Sequence, residues 1–244
     1  MATRTADLDT GAAQATVLHQ PEELDSGLVP HLSEVETLGL VLKAPLVFMV
    51  PYLPALAATA NRAYRMKREA VAQAETDGDW QKVLWLHEKP YRMSVFLRVR
   101  ERMSDRDYWQ ALSDMWLETE NLHEHRDEWV AALTASRPGR AHWLMDESER
   151  TVLAGLDEQV TVYRGFRRTG RHLAPSWTLD RTRAEWFARR PLDPPSGDGY
   201  LATATVPKTS VIAYFAGRGE QEIVLNPDEL PDPQITTVTG GPLL

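Results

Sequence analysis

The stretch VTVYRGF, residues Val160–Phe166, marks the point at which the chain changes character. It is rich in β-branched and aromatic residues, which is typical of a strand. Three more short segments of this kind follow, at Tyr200–Val206, Val211–Phe215 and Gln221–Leu225, and clusters of Gly, Pro and Asp separate them. We therefore predict a strand in each of the four segments.

A single helix is predicted among these strands, over Arg181–Arg190. Asp180 or Thr182 can cap its first turn, because a short polar side chain can accept the free N–H groups there. Pro191 ends the helix, since proline cannot continue one.

The part of the chain before residue 150 has a helical pattern instead. Ser104 resembles the first residue of a capping box, and Trp109, Leu112 and Trp116 then recur at helical spacing. A further short helix is predicted over Asp146–Leu156. We interpret the tryptophans of this part as packing residues of a helical core, namely Trp80, Trp85, Trp109, Trp116, Trp129 and Trp143.

These patterns predict an α+β fold in three parts. Residues 1–25 are mostly polar and are expected to be flexible. Residues 26–150 are expected to form a helical region, and residues 151–244 a region of strands with one helix.

The composition limits the classes of protein. The chain has 244 residues, of which 43% are apolar and 25% charged, with no cysteine and a formal net charge of −8. These values are typical of a folded soluble protein, and they exclude a disulfide scaffold, a thiolate metal site and a cysteine nucleophile. The acidic balance disfavours nucleic acid and anionic membranes as ligands.

No targeting segment is evident in the sequence. The first residues lack the apolar core of a signal peptide, and the most apolar stretch, Ala44–Ala60, contains three prolines that interrupt a helix. We therefore expect no membrane span and action in the cytoplasm, either of the producing cell or of a host infected by a phage. Secretion as an effector without a cleaved signal stays open.

Arginine is concentrated from the end of the first predicted strand to the end of the predicted helix. From Arg164 to Arg190 there are eight arginines against Asp180 and Glu185, a local excess of +6. This excess suits a phosphate-bearing ligand, because guanidinium groups bind phosphate through paired N–H donors. A solvated arginine-rich face explains the composition equally well.

Two glutamates precede an apolar run in Glu220-Gln221-Glu222. In a strand, Glu220 and Glu222 point to one face while Gln221 points to the other. Two carboxylates held close together repel each other, so a ligand or partner usually offsets them. One can then stabilise a developing cation while the other takes a proton. An exposed acidic strand edge is the alternative.

Two other segments place polar side chains at strand positions. Arg164, which follows Tyr163 at the end of a predicted strand, can bind a pyrophosphate through paired donors. Ser176 and Thr178 alternate onto one strand face, where their hydroxyls can orient a charged neighbour. A surface arginine and an ordinary short strand are the alternatives.

The order of these motifs resembles that of the Arg–Ser–Glu class of ADP-ribosyltransferases, the NAD-using enzymes of the clostridial-toxin and ecto-enzyme type. The matching segments are Tyr-Arg-Gly at 163–165, Ser-Trp-Thr at 176–178 and Gly-Glu-Gln-Glu at 219–222. The resemblance covers residues 160–227, less than a third of the chain. It implies a mixed, split-β ADP-ribosyltransferase core after the helical region, with NAD as substrate and no metal.

Carried over residue by residue, the resemblance implies a catalytic and NAD-binding set. Arg164, with Gly165 beside it, would bind the NAD phosphates. Ser176 would hold the catalytic glutamate and help to position NAD, with Thr178 supporting that strand. Glu222 would accept a hydrogen bond from the nicotinamide-side ribose and stabilise the oxocarbenium-like centre as nicotinamide departs.

The same resemblance implies an acceptor site. Glu220 matches the first glutamate of the arginine-modifying enzymes, where it would orient the acceptor guanidinium and take its proton. Tyr214 and Phe215 fall where the acceptor-recognition loop lies, and residues 191–199 where a loop covers the nicotinamide and phosphates. No motif assigns the aromatic that stacks on nicotinamide, for which Phe187 is a candidate.

The sequence thus predicts an NAD-dependent mono-ADP-ribosyltransferase that modifies an arginine of a target protein and releases nicotinamide, similar to toxin-like bacterial or phage effectors. An NAD glycohydrolase, or a transferase acting on a nucleic acid or a small molecule, is one alternative. A non-catalytic module that binds NAD or a protein is another.

Overall fold

The structure, a computed structural model, describes residues 22–119, 122–167, 173–190 and 198–238. These residues contain helices and two antiparallel sheets, one of three strands and one of six. Two compact units divide the chain, Met1–Glu69 and Ala70–Leu244. Within the described ranges no helix has the length and apolar character that a membrane span requires.

The first unit contains the small sheet and the beginning of a long helix. Its strands β1 (Leu32–Val35), β2 (Gly39–Lys43) and β3 (Phe48–Met49) pair antiparallel in that order, and helix α1 spans Ala57–Asp77. The expectation of a helical region over residues 26–150 is wrong for these strands. Gly39 adopts a φ of 71° directly after the turn that ends β1, a left-handed conformation that favours a hairpin over a helix.

The second unit begins with helices. These are α2 (Trp80–Leu86), α3 (Arg92–Val99), α4 (Asp105–Glu118), α5 (Arg126–Leu133), α6 (Arg140–Trp143) and α7 (Glu147–Gly155). The Ser104 hydroxyl accepts the N–H of Asp107 at 3.1 Å, and the Asp146 carboxylate accepts that of Glu149 at 2.8 Å. The predicted cap at Ser104 and the predicted helix after Asp146 are therefore confirmed.

The six-stranded sheet follows these helices in the chain. Its strands are β4 (Gln159–Phe166), β5 (Ser176–Thr178), β6 (Gly199–Pro207), β7 (Val211–Phe215), β8 (Glu222–Leu225) and β9 (Gln234–Val238), with helix α8 (Arg181–Arg189) between β5 and β6. The predicted strands and helix are thus confirmed within one or two residues. Strand β9 lies outside the predicted set, because its residues are mostly exposed and lack an apolar pattern.

The sheet has the spatial order β7-β8-β5-β4-β6-β9. Every neighbouring pair of described strands runs antiparallel, so the expectation of a mixed sheet is wrong. The mixed sheet is an implication of the resemblance alone, because the residue pattern of strands this short does not distinguish parallel from antiparallel pairing.

The sheet is joined weakly between β4 and β5. Among the described residues, Tyr163 and Thr178 are the one pair in register across these strands, whereas β4 pairs with β6 along its whole length. Neighbouring strands normally share a row of hydrogen bonds, so a single pair marks a place where the sheet divides. Arg164 of β4 and Ser176 of β5 lie on the two sides of this division.

Helix α8 packs on β4 and β6 through two glycines. A Cβ added at Gly165 would lie 1.8 Å from the Ala184 carbonyl oxygen, and one at Gly199 would lie 2.3 Å from that of Ala188. Ala184 and Ala188 are themselves fully buried, four residues apart on one face of the helix. Small residues on both sides therefore allow the helix backbone to approach the sheet.

The apolar core of the second unit joins its helices to its sheet. Trp109, Trp116, Trp129 and Phe215 are each at most 2% exposed. The Trp116 ring centroid lies 5.3 Å from that of Trp129 and 6.3 Å from that of Phe215 on β7. The predicted packing role of these tryptophans is confirmed, and the change of secondary structure near residue 150 falls inside one unit.

Candidate active site

A cavity of about 690 Å³ opens where β4, β5 and α8 meet the start of β8. Volumes of this size are typical of small-molecule and cofactor sites. The cavity is lined by six of the residues that the sequence motifs single out, namely Arg164, Gly165, Ser176, Thr178, Glu220 and Glu222. The fold therefore brings three separate motifs together around one space.

The Glu222 carboxylate is held by donors from two elements. Ser176 Oγ on β5 donates to Oε1, and Trp116 Nε1 on α4 donates to Oε2 at 3.0 Å. Glu222 is 4% exposed, and burying a carboxylate is costly unless it is hydrogen-bonded. The two donors offset that cost and fix the orientation of the carboxylate.

Arg164 contacts the same serine across the division of the sheet. Its Nη1 donates to the Ser176 carbonyl oxygen at 2.5 Å, while the Ser176 hydroxyl donates to Glu222. Arg164 lies inside β4, opposite Ala202, so it does not end the strand as the sequence pattern indicates. The predicted arginine, serine and glutamate thus form one connected hydrogen-bonded set.

Glu220 and Glu222 both line the cavity, but only Glu222 belongs to a strand. Strand β8 begins at Glu222, and Gln221 before it has a φ of 45°, a left-handed conformation. The prediction that both glutamates share one strand face is wrong, because this residue interrupts the alternation. Thr178 stabilises the turn instead, since its Oγ1 donates to the Glu220 carbonyl oxygen at 2.5 Å.

Arg183 lies beside the Glu220 carboxylate. Its Nη2 donates to Glu220 Oε1 at 2.9 Å. The guanidinium carbon lies 4.8 Å from the ring centroid of Trp186 and 5.2 Å from that of Phe187. Asp180 caps α8, as predicted, and accepts the Arg183 backbone N–H at 3.1 Å. The start of the helix thus fixes the backbone from which this arginine extends.

Trp186 and Phe187 form an aromatic wall of the cavity. Their ring centroids are 5.1 Å apart and the ring planes make an angle of 78°. Phe187, the candidate to stack on nicotinamide, is half-buried, and Trp186 is more exposed. Flat apolar faces of this kind can stack on a planar ligand. Trp177, in the middle of the Ser-x-Thr segment, is buried in the core instead.

Arg126, the first residue of α5, also lines the cavity. Its Nε donates to the Leu173 carbonyl oxygen at 2.8 Å, and its Nη2 to Asp228 at 2.7 Å. The hydrogen bond to Asp228 raises the pKa of Arg126, as a neighbouring carboxylate does for a cation. These contacts tie the start of α5 to the segment before β5 and to the turn after β8.

Tyr214 and Phe215 do not line the cavity. Both belong to β7, in which every residue is buried. The Tyr214 backbone N–H donates to Met145 Sδ at 3.2 Å, and burial raises the pKa of its phenol. The expectation that these two residues contact the acceptor is therefore corrected, because other elements of the unit cover them. Residues 191–197 of the predicted nicotinamide loop lie outside the described residues.

Four residues at the site belong to none of the motifs found in the sequence. Arg183 and Trp186 are three apart on the predicted helix α8, so helical periodicity alone places them on one face. Trp116 and Arg126 have no comparable local signal. They lie 106 and 102 residues from their partners Glu222 and Asp228.

Comparisons with models of known protein families, with curated proteins and with solved structures find no match to this chain. Within the described ranges, no group of three or more His, Cys, Asp or Glu residues is arranged to hold a metal ion. The geometry of the cavity and the resemblance of the motifs are therefore the features that bear on the function.

Proposed function

We propose that the chain is an NAD-dependent mono-ADP-ribosyltransferase that transfers ADP-ribose to an arginine of a target protein and releases nicotinamide. The observation that carries the proposal is the connected set of Arg164, Ser176 and Glu222 at the division of the sheet. The serine hydroxyl contacts the glutamate, as the resemblance implies for an enzyme of this class.

The Glu222 carboxylate would supply the electrostatic part of the reaction. When the nicotinamide–ribose bond breaks, its electron pair leaves with the nicotinamide nitrogen, and positive charge develops on the ribose C1′ and ring oxygen. A fixed carboxylate stabilises such a charge without reorganising. Because Ser176 and Trp116 hold both of its oxygens, Glu222 is positioned before any substrate binds.

The arginines of the cavity supply the charge that a pyrophosphate needs. Guanidinium groups bind phosphate oxygens through paired N–H donors, and NAD carries two phosphates. The aromatic wall of Trp186 and Phe187 suits one of the two planar bases of NAD. Besides Arg183, which pairs with Glu220, the cavity-lining arginines are Arg126, Arg164 and Arg190.

Glu220 is the proposed acceptor-binding group. A guanidinium is cationic and non-nucleophilic at neutral pH, so a carboxylate must orient it and accept a proton as its nitrogen attacks ribose C1′. Glu220 lines the same cavity as Glu222 and binds a guanidinium, that of Arg183. This contact supports an arginine acceptor, because the space beside Glu220 fits the group.

The same contact also favours one alternative, an NAD glycohydrolase. If Arg183 stays on Glu220, water in place of an arginine takes the ribosyl group, and the products are nicotinamide and free ADP-ribose. Identification of the group that receives ADP-ribose therefore distinguishes the two functions.

Incubation of the purified protein with NAD labelled in its ADP-ribose part and a bacterial lysate tests the proposal. The control is Glu222→Gln, which keeps the shape of the side chain and removes its charge. Label on discrete protein bands, absent with the variant, supports the transferase, and mass spectrometry then locates the modified arginine. Nicotinamide release without labelled protein favours the glycohydrolase or a non-protein acceptor. Binding of NAD without either product contradicts an enzyme.

A further inference from the structure

The ion pair between Arg183 and Glu220 lies in the cavity and joins residues 37 positions apart. The Arg183 side chain is 33% exposed and that of Glu220 15% exposed, so the contact is partly open to solvent. Arg183 Nε is buried and has no hydrogen-bond partner among the described residues. The Nη2 group of the guanidinium is thus hydrogen-bonded, while its Nε is unsatisfied.

Two aromatic rings complete the surroundings of this guanidinium. Its central carbon lies over the rings of Trp186 and Phe187, at 4.8 and 5.2 Å from their centroids. A carboxylate next to aromatic faces favours a guanidinium, through charge, N–H donation and cation–π attraction. The cavity therefore contains a guanidinium site, and a side chain of the same molecule fills it.

We propose that Arg183 is a built-in occupant of the acceptor site, which an incoming guanidinium must displace from Glu220. The inference rests on the proposed acceptor role of Glu220. Arg183 is thereby a specificity-determining residue: a small guanidine competes with it poorly, whereas an arginine on a protein surface brings further contacts that offset the displacement. Because the ion pair is partly solvated, it is weak enough to be exchanged.

Arg181 provides a matched control on the same helix. Its Nε donates to Glu185 at 3.0 Å, in an ion pair one turn along α8. The Arg181 side chain is 63% exposed and does not line the cavity. Replacing it removes one arginine and one ion pair from α8 and leaves Glu220 untouched.

Calorimetric titration with agmatine, a small guanidine without peptide contacts, tests the inference without any need for turnover. We expect Arg183→Gln to bind agmatine about threefold to tenfold more tightly than the unchanged protein, as release of a partly solvated ion pair allows. Arg181→Gln should bind like the unchanged protein. The gain should disappear when Glu220→Gln is added to Arg183→Gln.

Equal or weaker agmatine binding by an Arg183→Gln variant with unchanged thermal unfolding overturns the inference. A gain that persists without the Glu220 carboxylate also overturns it. Should Arg183→Gln unfold, Arg183→Lys is the second variant, since it keeps the charge on the helix, lacks the paired donors and should give a smaller gain.

Nicotinamide release from NAD by the unchanged protein, measured in parallel, separates this inference from the proposed function. Absence of release contradicts the proposed function. The agmatine titrations still decide in that case whether Arg183 occupies a guanidinium site.

Discussion

Trp116 on helix α4 donates its indole N–H to the Glu222 carboxylate on strand β8, at 3.0 Å and across 106 residues of chain. The same indole packs against Phe215 on β7, with ring centroids 6.3 Å apart. The helical part of the second unit therefore holds the carboxylate that we propose as catalytic. Helix α4 thus contributes to the candidate site by positioning Glu222.

Replacement of Trp116 by Phe removes this hydrogen bond and keeps an aromatic ring in the core. We expect kcat for nicotinamide release to fall about tenfold to hundredfold, because a hydrogen bond to a charged group contributes about 1.5–3 kcal/mol. The KM for NAD should change little, since Trp116 does not line the cavity. Steady-state kinetics of the purified variant measure both constants.

Trp129→Phe is the matched control for that variant. Trp129 lies in edge contact with Trp116, with ring centroids 5.3 Å apart, and its replacement removes a similar volume from the same core. It leaves the Trp116–Glu222 hydrogen bond in place. Equal losses of kcat in both variants would show that packing, and not positioning of the carboxylate, accounts for the effect.

The two glutamates should divide the proposed reaction between them. Glu222→Gln is expected to abolish both nicotinamide release and transfer of ADP-ribose, because no carboxylate then stabilises the ribosyl cation. Glu220→Gln should spare nicotinamide release and lose transfer to arginine, since the acceptor has no group to take its proton. Parallel assays of the two products test this division, which equal losses in both variants would contradict.

Gly165→Ala should destabilise the second unit. The added methyl group would lie 1.8 Å from the Ala184 carbonyl oxygen, and neither backbone can move without separating α8 from the sheet. We expect a loss of about 2 kcal/mol or more in the free energy of unfolding, seen as a melting temperature lower by about 5 °C or more.

Gly155→Ala is the control for the glycine prediction. Gly155 ends α7, and a Cβ there would meet no atom within 4 Å. Alanine favours a helix over glycine by at most about 1 kcal/mol, so this variant should melt at the same temperature or slightly higher. If both variants melt at a similarly lowered temperature, close packing of α8 on the sheet does not explain the instability of Gly165→Ala.

Glu75 should make part of the stability depend on pH. Its hydrogen bonds with Arg102, at 2.7 Å, and Arg98, at 2.8 Å, hold the pKa of Glu75 below its ordinary value of 4.5. A lowered pKa in the folded state contributes stability above the ordinary pKa, and this contribution is lost as the pH falls through the lower, folded value. We therefore expect Glu75→Gln to reduce the free energy of unfolding by about 1 kcal/mol at pH 7.

Denaturant unfolding of both proteins over a range of pH tests this prediction. The difference between them should shrink as the pH is lowered below 4.5. A difference that is constant with pH would mean that the glutamine disturbs the structure by another route.

The local elements around the site follow from local sequence patterns. Strands β4 and β7 and helix α8 appear where β-branched residues, a capping Asp180 and a following proline predict them. The prediction fails where one backbone conformation overrides a pattern. Gln221, with its φ of 45°, interrupts the expected strand before Glu222, and no residue-type preference indicates this.

Burial is the property that the sequence predicts least well at this site. Tyr214 and Phe215 have the composition of a stacking pair next to a glycine-rich turn, yet both faces of β7 are covered. A strand buried on both faces and a strand end with exposed aromatics look alike in sequence. The residues that cover β7 include Trp116 of α4 and Met145, which lies between α6 and α7, and both are far from β7 in the chain.

The sequence by itself determined strands β4, β6 and β7 and helix α8, and the order of its motifs selected Arg164, Ser176 and Glu222 as candidate residues, because periodicity, caps and short motifs depend on neighbours along the chain. Only the tertiary structure decided that Trp116 is hydrogen-bonded to Glu222 and that Arg183 forms an ion pair with Glu220. Such contacts join side chains 106 and 37 residues apart, and their formation depends on how α4 and α8 pack on the sheet. That packing is set by the shared core, which no local pattern encodes.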